Sequence, residues 1–420
     1  MIKKSKIIVV GGGFAGIQIV KNLDRTLFDV LLIDKLNHHQ FQPLFYQVAT
    51  SQIEPSSISF PLRKIFNNQK NVQIRLAAVL SVNLNTKKIL TTIGEFDYDF
   101  LVLAMGCTTN FFGNENISSN ALTLKTTYDA ITIRNHIILT FEKLVSAKES
   151  ELEALNNLVI VGAGPTGVEL AGAFAEIKKN ILPKDYRGTD FSKFKVYLIE
   201  GSKNTLSNMS EASKSESKNY LERLGATILT ETFVKNYDGE TLILSNGETI
   251  KTKTVIWAAG VIGNKIEGLS SEAITSGNRL KVNRFNEVVG CKNIYALGDI
   301  AFMTTEKYSK GHPQVANVAI NQAKMLAKNF KAMVQNKPMR EFEYKDLGSM
   351  ATIGRNKAVV DLPRMHFKGY FAWLVWMFLH LMLILSVKNK LIIFINWAWA
   401  YLTKDTSLRL ILKGDDSRKK

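Results

Sequence analysis

The sequence predicts an α/β fold with two parallel-sheet domains of one design, followed by an apolar tail. Three observations predict it. Near the N-terminus an apolar strand, Lys6 to Val10, runs into Gly11, Gly13 and Gly16; a helical pattern follows to Leu23, and a second strand, Val30 to Ile33, ends in Asp34. In mid-chain the pattern returns as Leu158 to Val161, then Gly162, Gly164 and Gly167, a helix to about Lys179, and the strand Lys195 to Ile199 ending in Glu200. The third observation is the run YFAWLVWMFLHLMLILSV, Tyr370 to Val387, eighteen uncharged residues with only His380 and Ser386 as polar interruptions.

Each glycine-rich turn joins a buried strand to a helix, the arrangement of a Rossmann-like dinucleotide-binding unit. The glycines let the backbone approach a pyrophosphate, the helix N-terminus offers free N–H groups, and the acid at the next strand end accepts from ribose hydroxyls. A lone copy is ambiguous, because such turns also serve simply to pack helix on strand. Two copies, with Gly162 placed 151 residues after Gly11, indicate two nucleotide sites. Glu200 lies 33 residues past Gly167, so the second crossover carries an insertion, placed at Leu182 to Lys193.

The remaining elements follow in order. Phe100 to Gly106 and Thr254 to Gly260 read as strands ending in small residues, and Asn293 to Asp299 as a buried strand that stops on Gly298 and Asp299. Pro313 is expected to open a helix running to Phe330, since proline is tolerated in a first helical turn. Ser349 to Asp361 reads as strand and hands over to the tail.

Composition narrows the classes. With 420 residues, 46% of them apolar and 22% charged, the chain is globular and long enough for two or three domains. Lysine and arginine exceed aspartate and glutamate by 54 to 37, a formal +17 that favours anionic surfaces. The two cysteines, Cys107 and Cys291, stand far apart, which leaves no disulfide framework and no metal-ligand spacing. His38 and His39 have no third ligand nearby, so no metal is expected. The start MIKKSKIIVVGGG lacks the length and cleavage site of a signal peptide, and the chain is expected in the cytosol or on a membrane reached from that side.

The first turn has a distant Gly298-Asp299 pair that suits the ribityl and pyrophosphate portion of FAD, which leaves the second turn for NADH. Glu200, rather than an arginine, favours a ribose 2′-hydroxyl and hence NADH over NADPH.

The order GGGFAG, NHHQFQPLFYQVAT, LVLAMG, VGAGPTGVELAG, LIEG, VIWAAG and YALGDIA, then a small-residue helix and an apolar aromatic tail, resembles the type II NADH:quinone oxidoreductases across essentially the whole chain. The resemblance implies an NADH domain inserted in an FAD domain: residues 1–112 and 266–362 around FAD, 113–265 around NADH, and 363–420 as an amphipathic membrane-attachment segment. It implies that Gly11, Gly13, Phe14, Ala15, Gly16, Asp34, Lys35, Gln42, Val79, Ala104, Gly106, Asp299, Ala316 and Asn317 hold FAD. Gly162, Gly164, Pro165, Thr166, Gly167, Glu200, Ala259 and Gly260 would hold NADH. Glu169 resembles a family glutamate between nicotinamide and flavin that assists proton uptake; the plain alternative is a carboxylate favoured by the helix dipole. The implied activity moves electrons from NADH through FAD to a membrane quinone without proton pumping.

The quinone contacts implied are Phe45, Gln47, Asn317 and Asn321. Here the sequence departs from the family, which commonly carries glutamine where Asn317 and Asn321 stand; Met105 likewise replaces a family threonine. Phe41, Phe45 and Tyr46, with Gln42 and Gln47, look like walls of the flavin and quinone cavity, although an aromatic run is more often plain core.

Eighteen apolar residues just reach across a thin bilayer. The next segment, Leu391 to Leu402, is too short to span, and it places Trp397, Trp399 and Tyr401 as interface residues do. Lys388, Lys390, Lys404, Arg409, Lys413, Arg418, Lys419 and Lys420 outnumber Asp405, Asp415 and Asp416 around it. The expectation is monotopic attachment to an anionic lipid surface, on the cytoplasmic face of a bacterial inner or plasma membrane, in a homodimer and without nucleic acid. The competing readings are a soluble NADH-dependent flavin reductase using oxygen or a small redox protein, and a basic flavoprotein that binds nucleic acid. Sulfide:quinone and disulfide reductases are disfavoured by the two scattered cysteines.

Overall fold

The computed structural model describes residues 4–406 and 408–412. Lys413, Arg418, Lys419, Lys420, Asp415 and Asp416, counted above among the tail charges, lie outside the described residues.

In chain order the elements that position the site are β1 (Ser5–Val10), α1 (Phe14–Asn22), β2 (Phe28–Asp34), β3 (Val72–Leu76), β4 (Phe100–Leu103), α2 (Thr127–Ser146), β5 (Asn157–Val161), α3 (Pro165–Asn180), β6 (Lys195–Ile199), β7 (Ala226–Leu229), β8 (Thr254–Trp257), β9 (Ile294–Ala296), α4 (Ala316–Val334), β10 (Ser349–Gly354), β11 (Lys357–Leu362), β12 (Met365–Lys368), α5 (Tyr370–Leu383) and α6 (Val387–Thr403). The chain forms two compact units. The first comprises the described part of Met1–Gln40 with Phe60–Thr108 and Val261–Asp346; the second comprises Phe41–Ser59, Thr109–Gly260 and the described part of Leu347–Lys420.

The first unit is built on a parallel sheet of order β9-β4-β1-β2-β3. Its central strand, KIIVV in sequence, is covered on both faces, so Ile7, Ile8 and Val9 are fully buried and the apolar run is continuous rather than alternating. Each such side chain contributes roughly 1.5–3 kcal/mol by leaving water. Helices α1 and α4 share a core in which Ala15, Ile19, Ala319, Ala323 and Phe330 meet. The α4 helix starts at Ala316, not at Pro313 as expected. The residues before it are held as a loop: Val315 is extended, and the Gln314 side-chain amide donates to the Asp299 carbonyl at 3.1 Å and to Cys107 Sγ at 3.0 Å.

The second unit repeats the design. Its parallel sheet runs from the short strand Leu122–Thr123 through β8-β5-β6-β7. The insertion after α3 forms a single helical turn, Leu182–Asp185, and then a loop. An antiparallel meander β10-β11-β12 packs on α3, and a Cβ at Gly172 would stand only 2.4 Å from the Ile353 carbonyl, so glycine is what lets helix and strand touch.

The apolar run does not form one helix. The α5 helix stops at Leu383 where Ile384 turns extended, and α6 resumes after Ser386. At 14 and 17 residues, these helices rise roughly 21 and 26 Å. No helix among the described residues is long and apolar enough to cross a membrane.

Candidate functional site

The first glycine turn is fixed by close approach. Gly11 has φ +105 and a Cβ there would fall 2.3 Å from the Ala104 carbonyl; a Cβ at Gly16 would fall 1.8 Å from the Gly11 carbonyl. Gly13 differs, since a Cβ there meets nothing within 4 Å, and it stands directly at the N-terminus of α1. Asp34 closes the turn by accepting from the N–H groups of Gly12 and Leu36. Burial raises its carboxyl pKa, and those two N–H groups oppose the rise.

The second turn repeats this arrangement. Gly162 has φ +100 against Ala259, a Cβ at Gly167 would meet the Gly162 carbonyl at 1.8 Å, and Gly164 faces open space. Glu200 accepts from the N–H groups of Ala163 at 2.7 Å and Ser202 at 2.8 Å. Two further backbone bonds match: Gly11 to Ile33 and Gly162 to Ile199, then Ala104 to Val10 and Ala258 to Val161. In both units a bare glycine opens onto a helix N-terminus with a carboxylate behind it, a donor set that fits a dinucleotide's pyrophosphate and ribose.

In the second unit a cavity of about 130 Å³ lies against α3, with Tyr46, Gln47, Glu169, Thr352, Trp376 and Trp397 among its walls. Glu169 is 8% exposed. Burial holds its carboxyl well above the usual carboxylate range, opposed by the Thr352 N–H and by the Trp376 indole, which lies near the carboxyl without reaching full hydrogen-bond geometry. Glu169 therefore keeps a proton at pH values where surface glutamates have lost theirs. Gln47, buried on the same cavity, accepts from Trp397 Nε1 at 2.8 Å and donates to the Tyr46 hydroxyl at 3.0 Å. Trp376 stacks on His380 with centroids 4.0 Å apart, and burial lowers the His380 pKa to about 4.

With this geometry in view, comparisons with known proteins become decisive. Residues 5–323 match the family described as pyridine nucleotide-disulphide oxidoreductase, and residues 347–404 match the NDH2 C-terminal domain. A type II NADH:quinone oxidoreductase of Mycobacterium tuberculosis is 32% identical over 417 residues, covering 96% of this chain and 89% of the relative. The chain belongs to the type II NADH:quinone oxidoreductase family. Another family member, from Staphylococcus saprophyticus, is 28% identical over 363 residues, covering 85% of this chain and 89% of the relative. The structure of NDH2 from Plasmodium falciparum in complex with NADH has a TM-score of 0.90 at 22% identity, covering 98% of this chain and all of that one. The sulfide:quinone oxidoreductase of Aquifex aeolicus follows at 0.73 and 20%, covering 92% of each chain. At these identities the two structures show a shared fold.

The remaining family-implied residues distribute as follows. In the first unit, Phe14 and Ala15 open α1, Lys35 follows Asp34, Val79 lies in the strand Val79–Asn83, and Ala104 and Gly106 follow β4. Asp299 sits in the tight turn Gly298–Ile300, while Ala316, Asn317 and Asn321 occupy the start of α4, each half-buried. In the second unit, Pro165 and Thr166 open α3, Ala259 and Gly260 follow β8, and Phe45 is buried while Gln42 is exposed. Trp397 departs from expectation: it is buried and bonded inward to Gln47, so it is not an interface residue, whereas Trp399 is exposed.

Sequence reasoning missed several family-site neighbours. Gln322, fully buried on α4, accepts from the Gly298 N–H at 2.8 Å and fixes the Asp299 turn. The Arg279 guanidinium donates to the Asp299 carbonyl at 3.0 Å and to Ala301 at 2.6 Å. The exposed Phe233 ring covers Gly201, directly after Glu200. No local motif announces any of the three, because each acts from a distant element.

Proposed function

We infer that this chain is an NADH:quinone oxidoreductase that works with FAD, and that its two glycine turns divide the nucleotides between them. The observation that carries the reading is the duplicated turn, one copy in each unit, within a member of this quinone-reducing family. When bound, FAD supplies the chemistry of accepting two electrons as hydride and passing them to a quinone.

In this reading Gly11, Gly13, Gly16 and Asp34, with Phe14, Ala15, Lys35, Gln42, Val79, Ala104, Gly106, Asp299, Ala316 and Asn317, hold FAD. Gly162, Gly164, Pro165, Thr166, Gly167, Glu200, Ala259 and Gly260 hold NADH. Residues 1–112 and 266–362 serve FAD, 113–265 serve NADH, and 363–420 serve the membrane. Glu169 holds a proton beside the NADH turn and releases it as charge changes at the reacting centre; its burial and raised pKa support that role. Phe45, Gln47, Asn317 and Asn321 are carried as quinone contacts, and Gln47 is fixed for this by Trp397 and Tyr46.

The tail supports attachment to an anionic membrane surface. Its helices bury Ala372, Trp376, Ile393 and Trp397 inward yet expose Phe371, Phe378, Phe394, Ile395 and Trp399, an apolar outer face on elements too short to span. We place the chain as a homodimer on the cytoplasmic face of a bacterial inner or plasma membrane.

Anaerobic stopped-flow absorbance tests the reading: NADH bleaches the flavin band rapidly, and a short-chain quinone restores it rapidly. Bleaching without recovery on quinone would remove quinone as the acceptor and favour the soluble flavin reductase.

A further inference from the structure

A second cavity in the second unit, of about 320 Å³, lies between α2, α3 and the segment around Arg409. Its α2 wall is one helical face, residues 134, 137, 138, 141 and 142 at the spacing of an apolar stripe, but the stripe is interrupted by Arg134. Arg134 is 1% exposed, and its Nε and Nη2 atoms have no hydrogen-bond partner. Among the described residues no carboxylate pairs with it; Glu54 acts on it through charge alone, without a hydrogen bond. The other charges at the cavity are engaged. Glu142 accepts from the Tyr186 hydroxyl at 2.8 Å, and Asp185 pairs with Arg409 at 2.6 Å.

An unpaired buried guanidinium is costly, and its planar fork matches a carboxylate. Ile137, Ile138, Phe141, Phe174 and Leu182 supply apolar walls, and Glu142, which has no cationic partner among the described residues at the cavity, disfavours a ligand carrying a second negative charge. We propose that this cavity binds a small organic monocarboxylate, with Arg134 paired to the carboxylate and the apolar walls around its hydrocarbon part. The site is separate from the glycine turns and from Glu169, and it does not rest on the NADH and quinone reading.

The test titrates sodium hexanoate into the full-length, flavin-loaded protein at constant ionic strength, read by calorimetry and by thermal unfolding. Saturable 1:1 binding with a raised Tm is expected, with inorganic phosphate at least tenfold weaker. Arg134→Met should weaken hexanoate at least tenfold and, without hexanoate, melt no lower than wild type, because it removes an unpaired buried charge. Arg134→Lys keeps the charge, loses the fork and should bind several-fold more weakly; it serves as the readout if the Met variant fails to fold. No saturable binding to wild type, phosphate binding as tight as hexanoate, or unchanged affinity in either variant would overturn the proposal.

Discussion

The two glycine turns share their backbone bonds, their close approaches and their closing carboxylate, yet they carry different chemistry two residues further on. After Gly16 stands Gln18, half-buried and bonded to Asn22 on its own helix. After Gly167 stands Glu169, buried in a cavity with a pKa pushed well up. The comparison separates two tasks. Strand, turn and helix build the same glycine turn in both units; the second copy adds a proton-holding group because the β10 meander and α5 cover that side of its helix. The first copy's helix, nine residues against sixteen, has no equivalent carboxylate.

Substituting the close-approach glycines should break both copies alike and most severely. Gly16→Val and Gly167→Val each push a side chain into a carbonyl and should cost more than about 3 kcal/mol in urea unfolding, or prevent folding. Gly13→Ala and Gly164→Ala should stay within about 0.5 kcal/mol of wild type without nucleotide. Equal damage from both pairs would contradict the division between packing glycines and approach glycines.

Asymmetry should appear next in turnover. Glu169→Gln should lower steady-state NADH:quinone turnover by about 10²-fold or more, the range for a positioned proton donor. Gln18→Glu should change it less than twofold, and a comparable loss there would remove the functional distinction between the copies.

The same contrast has a pH signature. Glu169 has a folded pKa raised above its unfolded value of about 4.3, so its protonated form is fully compatible with folding below that pH. That stability is lost as pH rises through the folded pKa. Glu169→Gln should therefore match wild type near pH 4 and become progressively more stable than it at higher pH, as read from urea midpoints. A gap that shrinks with rising pH would reverse the assigned sign.

Smaller effects sharpen the picture of the second unit. Trp397→Phe removes the donor to buried Gln47 and should cost about 1–3 kcal/mol. Phe378→Ser and Ile395→Ser, on the exposed outer face, should stay within about 0.5 kcal/mol while weakening sedimentation with anionic vesicles. Unchanged sedimentation would detach the apolar face from the membrane role.

Both glycine turns were legible in the sequence because their signal follows the chain in order: a strand, three glycines, a helix and an acid at the end of the next strand. Strand Lys195–Ile199 emerges with the expected bounds for that reason. The tail was legible as two apolar segments, Tyr370 to Val387 and Leu391 to Leu402, but hydrophobicity alone does not reveal that the first helix ends at Leu383, where Ile384 turns extended. Trp397 looked like an interface residue in the sequence; its partner, Gln47, lies 350 positions away. Gln322 and Arg279 escaped notice for the same reason: they fix the Gly298 turn from elements that only folding brings together. Arg134 drew no notice in the sequence, because its burial without a partner is a property of three dimensions.

The division of nucleotides between the copies is tested most directly by measuring flavin content and NADH affinity in Gly13→Val and Gly164→Val, the position in each turn where an added Cβ meets nothing within 4 Å. Gly164→Val should retain full flavin content and bind NADH at least tenfold more weakly, while Gly13→Val should lose flavin. Flavin lost from Gly164→Val, with NADH affinity weakened only in Gly13→Val, would contradict the assignment.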